Sequence, residues 1–223
     1  MAGLNDPLLS IDNWSALAKE APNDGIISLF AKSGNSFPLT LNETMKDAER
    51  LHIYLGFNTS ETIEFYVIPA DMDETSNKSI DTCGVSTPLD ATQQKITSSS
   101  KSPLVGWVNN WCDAGLRNGW LTSLEQAVQV FVIHTTDFVV NDLHKCYLAL
   151  KPNTKEVGTY RVDLVIQNTV TGQFLNVEEP PTSDTLGTPQ FADMARPVPP
   201  YNNGYNLGHP STEATNFGIL QQL

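Results

Sequence analysis

The chain has 223 residues, enough for one large domain or for one domain with an extension. Its formal net charge is −12 and only 13 residues are Lys or Arg, which argues against binding to nucleic acid or to anionic membranes. Charged residues make up 17% and hydrophobic residues 40% of the chain, a composition that favours turn-rich β-structure over a helical bundle.

The cysteine count and the N-terminal sequence indicate where the protein resides. Cys83, Cys112 and Cys146 are an odd number at wide spacing, which favours a reducing compartment over a disulfide framework. The first residues lack the basic and apolar regions of a signal peptide, and no stretch has the roughly 18 apolar residues of a membrane helix. We therefore expect a soluble protein without membrane insertion, cytoplasmic by default, with leaderless export left open.

The first third of the chain predicts one helix and three strands. Residues 11–20 predict a short helix, and Ile26–Lys32 predicts a strand. The clearest pattern follows at residues 51–57 and 63–67, where apolar and polar side chains alternate on both sides of a short turn. This alternation predicts a β-hairpin with one buried face.

The middle of the chain predicts a loop and then a helix. Residues 71–102 are polar and predict a long surface insertion. At Ser102 and Pro103 a helix is expected to begin, because an N-cap residue is followed by proline at the first helical position. Gly115 is expected to end this helix. Its apolar residues fall on one face: Leu104, Trp107, Val108 and Trp111.

Further strands complete the predicted body. They are expected at Ala127–His134, Cys146–Lys151, Thr159–Asn168 and Gln173–Val177. Short, turn-linked strands with few helices indicate a mainly β fold, that is, a β-rich α+β fold. We expect an antiparallel sandwich-like body over residues 1–175 with two or three short helices.

The last 48 residues, 176–223, predict an extended C-terminal arm. They show no helix or strand pattern and contain seven of the 14 prolines. Structureless segments of this length are uncommon in compact domains unless they are functional or disordered. Apolar residues spaced along the arm are candidate contacts with its own body or with a neighbouring subunit: Phe191, Met194, Val198, Tyr201, Tyr205, Phe217 and Leu220.

One cluster of residues suggests chemistry. His134, Asp137, Asp142 and His144 lie within eleven residues and are types that bind Zn²⁺ or Fe²⁺. His134 and Asp137 are alternatively a catalytic base and the residue that orients it. The spacing matches no established motif, so a metal-dependent enzyme is an alternative rather than the main hypothesis.

A second cluster offers oxygen ligands for a divalent cation, the one cofactor that the residues suggest. Oxygen-bearing side chains stand at alternate positions of an acidic segment, as in calcium loops: Asp71, Asp73, Thr75 and Asn77. The segment lacks the glycine and glutamate of an EF-hand, because Ser76 and Thr82 occupy those positions. A solvated acidic loop is the simpler interpretation.

No nucleophile motif, P-loop or dinucleotide fingerprint is present in the sequence. Cys112 is interpreted as a small buried hydrophobic residue rather than a reactive thiol. The main hypothesis is a non-enzymatic structural or interaction protein that self-associates, with the arm as its strap. A metal-dependent enzyme and a β module that binds glycans or small ligands are the alternatives.

Overall fold

The computed structural model describes residues 6–19, 24–73, 85–97, 102–124, 127–135, 138–153, 157–175 and 196–198. These residues form four α-helices, one 3₁₀-helix and eight strands, arranged in two antiparallel sheets. The fold is therefore mixed α+β. The predicted antiparallel sheets are present, and there is at least one helix more than the sequence predicted.

The helices begin at recognisable caps. Their bounds are α1 (Pro7–Ala18), α2 (Asp24–Lys32), α3 (Pro103–Cys112) and α4 (Ala114–Ser123). α1 corresponds to the first predicted helix but begins four residues earlier. The Asp6 side chain caps it by accepting hydrogen bonds from the backbone N–H groups of Leu8 and Leu9.

The strand predicted at Ile26–Lys32 is wrong, because this segment is helix α2. Ile26, Leu29 and Phe30 recur at helical spacing and form its buried face. The Phe30 ring also meets the Trp111 ring edge-on, with centroids 5.0 Å apart. Short apolar runs suit a strand or a helix equally, and tertiary packing selects the helix here.

The predicted start of α3 is confirmed, because the Ser102 hydroxyl accepts a hydrogen bond from the Leu104 N–H. The predicted end at Gly115 is wrong. Asp113 takes an extended conformation after α3, and its carboxylate accepts a hydrogen bond from the Leu116 N–H. One aspartate thus ends α3 and caps α4, a helix that the sequence analysis missed.

The two sheets contain the following strands in spatial order. The three-stranded sheet is β1 (Ser36–Leu39), β6 (His144–Pro152) and β7 (Tyr160–Asn168). The five-stranded sheet is β4 (Val85–Pro88), β3 (Ile63–Pro69), β2 (Arg50–Phe57), β5 (Val130–His134) and β8 (Arg196–Val198). The β2–β3 hairpin and strands β5, β6 and β7 confirm the sequence predictions.

The surface insertion predicted at residues 71–102 is only partly correct. β4 lies inside it and pairs with β3. Beyond β4, the Gln94 N–H donates to the Asn35 side-chain oxygen at 2.7 Å, and the Asn35 amide donates to the Gln94 carbonyl at 3.2 Å. The polar composition was misleading because these groups bond to the body. Residues 74–84 and 98–101 lie outside the described part of the chain.

The main hydrophobic core takes residues from both sheets. Across it, the Phe37 ring of β1 stacks on the Phe65 ring of β3 at a centroid distance of 3.9 Å. Buried members of the same cluster include Ile53, Phe131, Leu148, Leu150 and Leu164. Each sheet therefore contributes one face to a shared core.

The outer faces of the sheets are covered by helices. Ile11 of α1 packs with Tyr54 and Tyr66 of the five-stranded sheet. Val108 of α3 packs with Tyr147 of the three-stranded sheet. The prediction of a hairpin with a single buried face is therefore wrong, because β2 and β3 are buried on both faces.

The segment after β4 joins the two sheets. The Gly34 N–H donates to the Asp90 carbonyl at 2.5 Å, and the Asp90 N–H donates to the Ser36 carbonyl at 2.8 Å. This approach requires a residue without Cβ, because a Cβ on Gly34 would lie 2.4 Å from the carbonyl oxygens of Asp90 and Thr92.

Gly34→Ala is expected to lower the free energy of unfolding by about 1–3 kcal/mol, because backbone atoms of the joining segment would have to move. The matched control is Gly106→Ala, where a Cβ meets no atom within 4 Å in the interior of α3. The control is expected to stabilise the protein by about 0.5–1 kcal/mol through helix propensity. Urea denaturation of both variants checks the prediction. Equal stabilities would contradict it.

Candidate functional site

A short piece of the C-terminal arm lies against the edge of the five-stranded sheet. β8 is antiparallel to β5, with Val198 opposite Val130, Pro197 opposite Phe131 and Arg196 opposite Val132. β8 also contacts β7 of the other sheet. It therefore lies between β5 of one sheet and β7 of the other, in a position that we call the seam.

The edge of β5 that faces away from β2 is a suitable acceptor for an added strand. Its residues Val130–Ile133 are buried and apolar. Without β8, this edge would be open to pairing with another chain. Pro197 fits the position of β8, because a residue without a backbone N–H is tolerated at the outer strand of a sheet.

The other side of the seam, β7, is covered by its own surroundings. The Trp120 indole N–H donates to the Tyr160 carbonyl at 2.9 Å. The Asp163 carboxylate accepts from the Leu164 N–H at 2.9 Å, and the Ile166 carbonyl accepts a hydrogen bond at 2.9 Å from the turn that follows β7. β7 thus offers few backbone groups to a new strand, and β5 is the accepting edge.

Of the predicted arm contacts, Val198 lies in β8. The others lie outside the described residues: Phe191, Met194, Tyr201, Tyr205, Phe217 and Leu220. The contacts of β8 with β5 and β7 are therefore the arm contacts that the structure describes, and the remaining contacts stay predictions.

The structure separates the members of the His134 cluster. His134 is exposed at the end of β5, whereas His144 is fully buried at the start of β6 in the other sheet. The Asp142 carboxylate accepts a hydrogen bond from the Asn168 amide at 2.7 Å. Among the described residues, no three His, Cys, Asp or Glu side chains are grouped to hold a metal ion. Asp137 lies outside them, so the four-residue metal or catalytic site stays a prediction.

The acidic segment is also divided. Asp71 is exposed on the 3₁₀-helix Ala70–Met72, whereas Asp73 is buried directly after it. The Asp73 carboxylate faces the sheet rather than a cation loop. Asn77 lies outside the described residues, so the cation site, too, stays a prediction.

Asp73 belongs to a buried polar cluster that the sequence analysis missed. The Tyr54 hydroxyl donates to the Asp73 carboxylate, and the His52 Nδ1 atom lies 2.6 Å from the same oxygen. All three side chains are at most 2% exposed. Burial, together with the charge and hydrogen bond of Asp73, raises the pKa of Tyr54 well above its ordinary value, so the phenol stays protonated. The cluster fastens the 3₁₀-helix to the outer face of the sheet.

The sequence contained one signal that the face of β2 carrying His52 and Tyr54 is covered. Gly56 interrupts an otherwise bulky strand, and glycine inside a strand often marks a close backbone approach. In the structure, a Cβ on Gly56 would lie 2.9 Å from the Ser10 backbone of α1. The glycine therefore indicated that this face of β2 is covered.

Cys112 is half-buried rather than buried, so its prediction is correct only in part. Its thiol donates to the Gln94 carbonyl at 3.6 Å and lies 3.3 Å from the Asn35 amide nitrogen. Burial raises the pKa of this thiol, with Lys95 and Arg117 opposing the effect. A protonated thiol in this setting is a poor nucleophile.

No family model, no curated protein and no solved structure matches this chain. No helix in the described part of the chain is both long and apolar enough to cross a membrane.

Asp73→Ala is expected to lower the free energy of unfolding by about 3 kcal/mol, because it removes the buried acceptor shared by Tyr54 and His52. The control is Asp71→Ala, two residues away and exposed, which is expected to change stability by less than about 0.5 kcal/mol. Thermal and urea unfolding measure the stability of both variants. Similar losses in the two variants would show that the cluster does not stabilise the fold.

The buried ring of His144 is expected to make the free energy of unfolding depend on pH. Its ring is fully buried against Phe138, and in the described part of the chain neither ring nitrogen has a hydrogen-bond partner of good geometry. Burial lowers the pKa of His144 below 6.5, while Asp142 and the backbone at Leu39 oppose the shift. The folded protein therefore binds this proton less readily than the unfolded chain does.

The contribution of neutral His144 to the free energy of unfolding is fully present above the pKa that this histidine has in the unfolded chain. It is lost as the pH falls below about 6.5, by at most about 1.4 kcal/mol per pH unit. Urea unfolding of wild type and His144→Gln between pH 7.5 and 5 checks this. The variant is expected to have the shallower slope, whatever its absolute stability. Parallel slopes would refute the assignment.

Proposed function

We propose that this chain is a non-enzymatic structural or interaction protein that self-associates. Its C-terminal arm straps onto the β5 edge of its own body or of a neighbouring subunit. The observation that carries the proposal is the antiparallel pairing of β8 with β5. Addition of an extended segment to a sheet edge is a common mode of peptide recognition, with affinity from main-chain hydrogen bonds.

The length of the connection to β8 supports exchange between subunits. Twenty residues, 176–195, separate Leu175 from Arg196. Because β8 contacts β7, a much shorter connection would suffice within one chain. Fully extended, twenty residues reach about 66 Å at roughly 3.3 Å each. The arm is therefore long enough to reach the seam of a neighbouring body.

The energetics require more than β8 alone. Ordering the arm costs about 1–2 kcal/mol per residue in backbone entropy, which three paired residues cannot offset. Apolar anchors such as Phe191, Met194 and Tyr201 would each contribute roughly 1.5–3 kcal/mol on full burial. In the proposal, β8 fixes the register of the arm and the apolar anchors supply most of its binding energy.

The body that carries the arm is proposed to be sandwich-like. The shared core between the two sheets and the stacked pair Phe37–Phe65 support this arrangement. The metal-dependent enzyme and the glycan-binding module have no comparable support among the described residues.

Removal of the arm is expected to lower the native mass. Light scattering after size exclusion is to be compared for the full-length chain, residues 1–198 and residues 1–177. We expect a multimer for the full-length chain and a monomer for 1–177, because only the latter lacks β8. The matched truncation 1–198 keeps β8 and is expected to retain at least part of the association.

Two outcomes would contradict the proposal. A full-length chain that is monomeric at all concentrations would exclude self-association and leave the arm as an internal strap. A 1–177 fragment with the subunit number of the full-length chain would show that the arm does not hold the assembly.

A further inference from the structure

Four exposed apolar side chains lie together at one end of the molecule. Val139, Val140, Leu143 and Val170 are 51%, 37%, 47% and 71% exposed. They make up four of the seven large hydrophobic side chains that are exposed in the described part of the chain. We call these four residues the end patch. Single exposed apolar residues are ordinary, whereas a contiguous group indicates a contact surface.

The two loops that carry the end patch are fastened to each other. The backbone N–H and the hydroxyl of Thr169 both donate to the Leu143 carbonyl, at 2.9 and 2.7 Å. The Asn168 amide donates to the Asp142 carboxylate, and its side-chain oxygen accepts from the Val170 N–H at 2.8 Å. The patch is therefore held in shape by the polar groups beneath it.

The end patch lies where the arm enters the seam. The loop 138–143 connects the end of β5 to the start of β6, and Val170 is in the turn after β7. Because β8 is antiparallel to β5, its first residue is level with Val132 and its last with Val130. The arm thus enters from the His134 end of β5, which is the end that carries the patch.

We infer that the end patch is the contact between bodies in the assembled protein, and that its occupant is the end patch of a second copy of this chain. The inference rests on the proposed function. An arm exchanged between two copies leaves its own body at Leu175, five residues after Val170, and enters the partner's seam at the same end. Mutual exchange therefore lets the two end patches face each other in an isologous contact, and their apolar side chains favour that arrangement.

The end patch is only part of the proposed interface between two copies. A stable interface usually involves about 20–30 residues on each side, many more than four. The end patch alone is too small to hold a dimer, and the exchanged arms supply the remaining contact. The proposed dimer therefore needs both the end patch and the exchanged arms.

The test uses the full-length double variant Leu143→Lys/Val170→Lys. The two added lysines make the net charge of −12 less negative, so a loss of association cannot come from greater overall repulsion between the chains. The control is Val157→Lys, which changes a valine that is 98% exposed in the β6–β7 turn at the opposite end of these strands. Sedimentation velocity across a concentration series gives the dissociation constant, and circular dichroism and thermal unfolding verify the fold.

We expect the double variant to raise the dissociation constant at least ten-fold, with its fold and melting temperature preserved, and the control to leave the constant unchanged. If the double variant misfolds, Val139→Lys tests the same surface. A patch variant that associates like wild type, while residues 1–177 are monomeric, would overturn this inference and leave the proposed function intact. A monomeric wild-type chain would overturn both.

Discussion

Burial of both faces of the five-stranded sheet is the constraint on which the rest of the structure depends. The inner face supplies Ile53 and Phe131 to the core, and α1 covers the outer face around Tyr54. A polar group enclosed on that outer face must find a partner, since an unsatisfied buried donor or acceptor costs about 1–3 kcal/mol. The pairing of His52 and Tyr54 with Asp73 meets this requirement.

The same constraint limits where the described body can meet another molecule. With their faces covered, the sheets themselves can meet another molecule along their edges and at the loops at their ends, and the helices through their outer surfaces. Backbone groups on the outer edge of β7 find hydrogen-bond partners nearby, in the Trp120 indole and the Asp163 carboxylate. β5 has its edge paired by residues that come from the distant arm. Of these two strands at the seam, β5 is therefore the one that is paired by a segment from the C-terminal arm.

Several patterns that depend on local sequence were predicted correctly, although the Asp113 cap was missed, and features that depend on distant contacts were not predicted. The alternation at residues 51–67 and the cap at Ser102 are local, and both are confirmed. The helix α2 was mistaken for a strand because its short apolar run fits both periods. The Asp73 cluster joins residues about twenty positions apart, and alternation alone assigned His52 and Tyr54 to the exposed face.

Whether the arm binds its own body or a neighbour is decided by what differs between these two states. The pairing of β8 with β5 is the same in both, so it cannot favour either one. A flexible link gives the internal arm an effective concentration in the millimolar range, which favours internal binding in dilute solution. Exchange therefore prevails only where the second body adds a contact that a single chain lacks. In the proposal, the end patch is such a contact, because Val170 and its three neighbours remain exposed when β8 is in place. Under the proposed exchange, the strength of that small apolar surface, rather than the strand pairing, sets the concentration at which two copies associate.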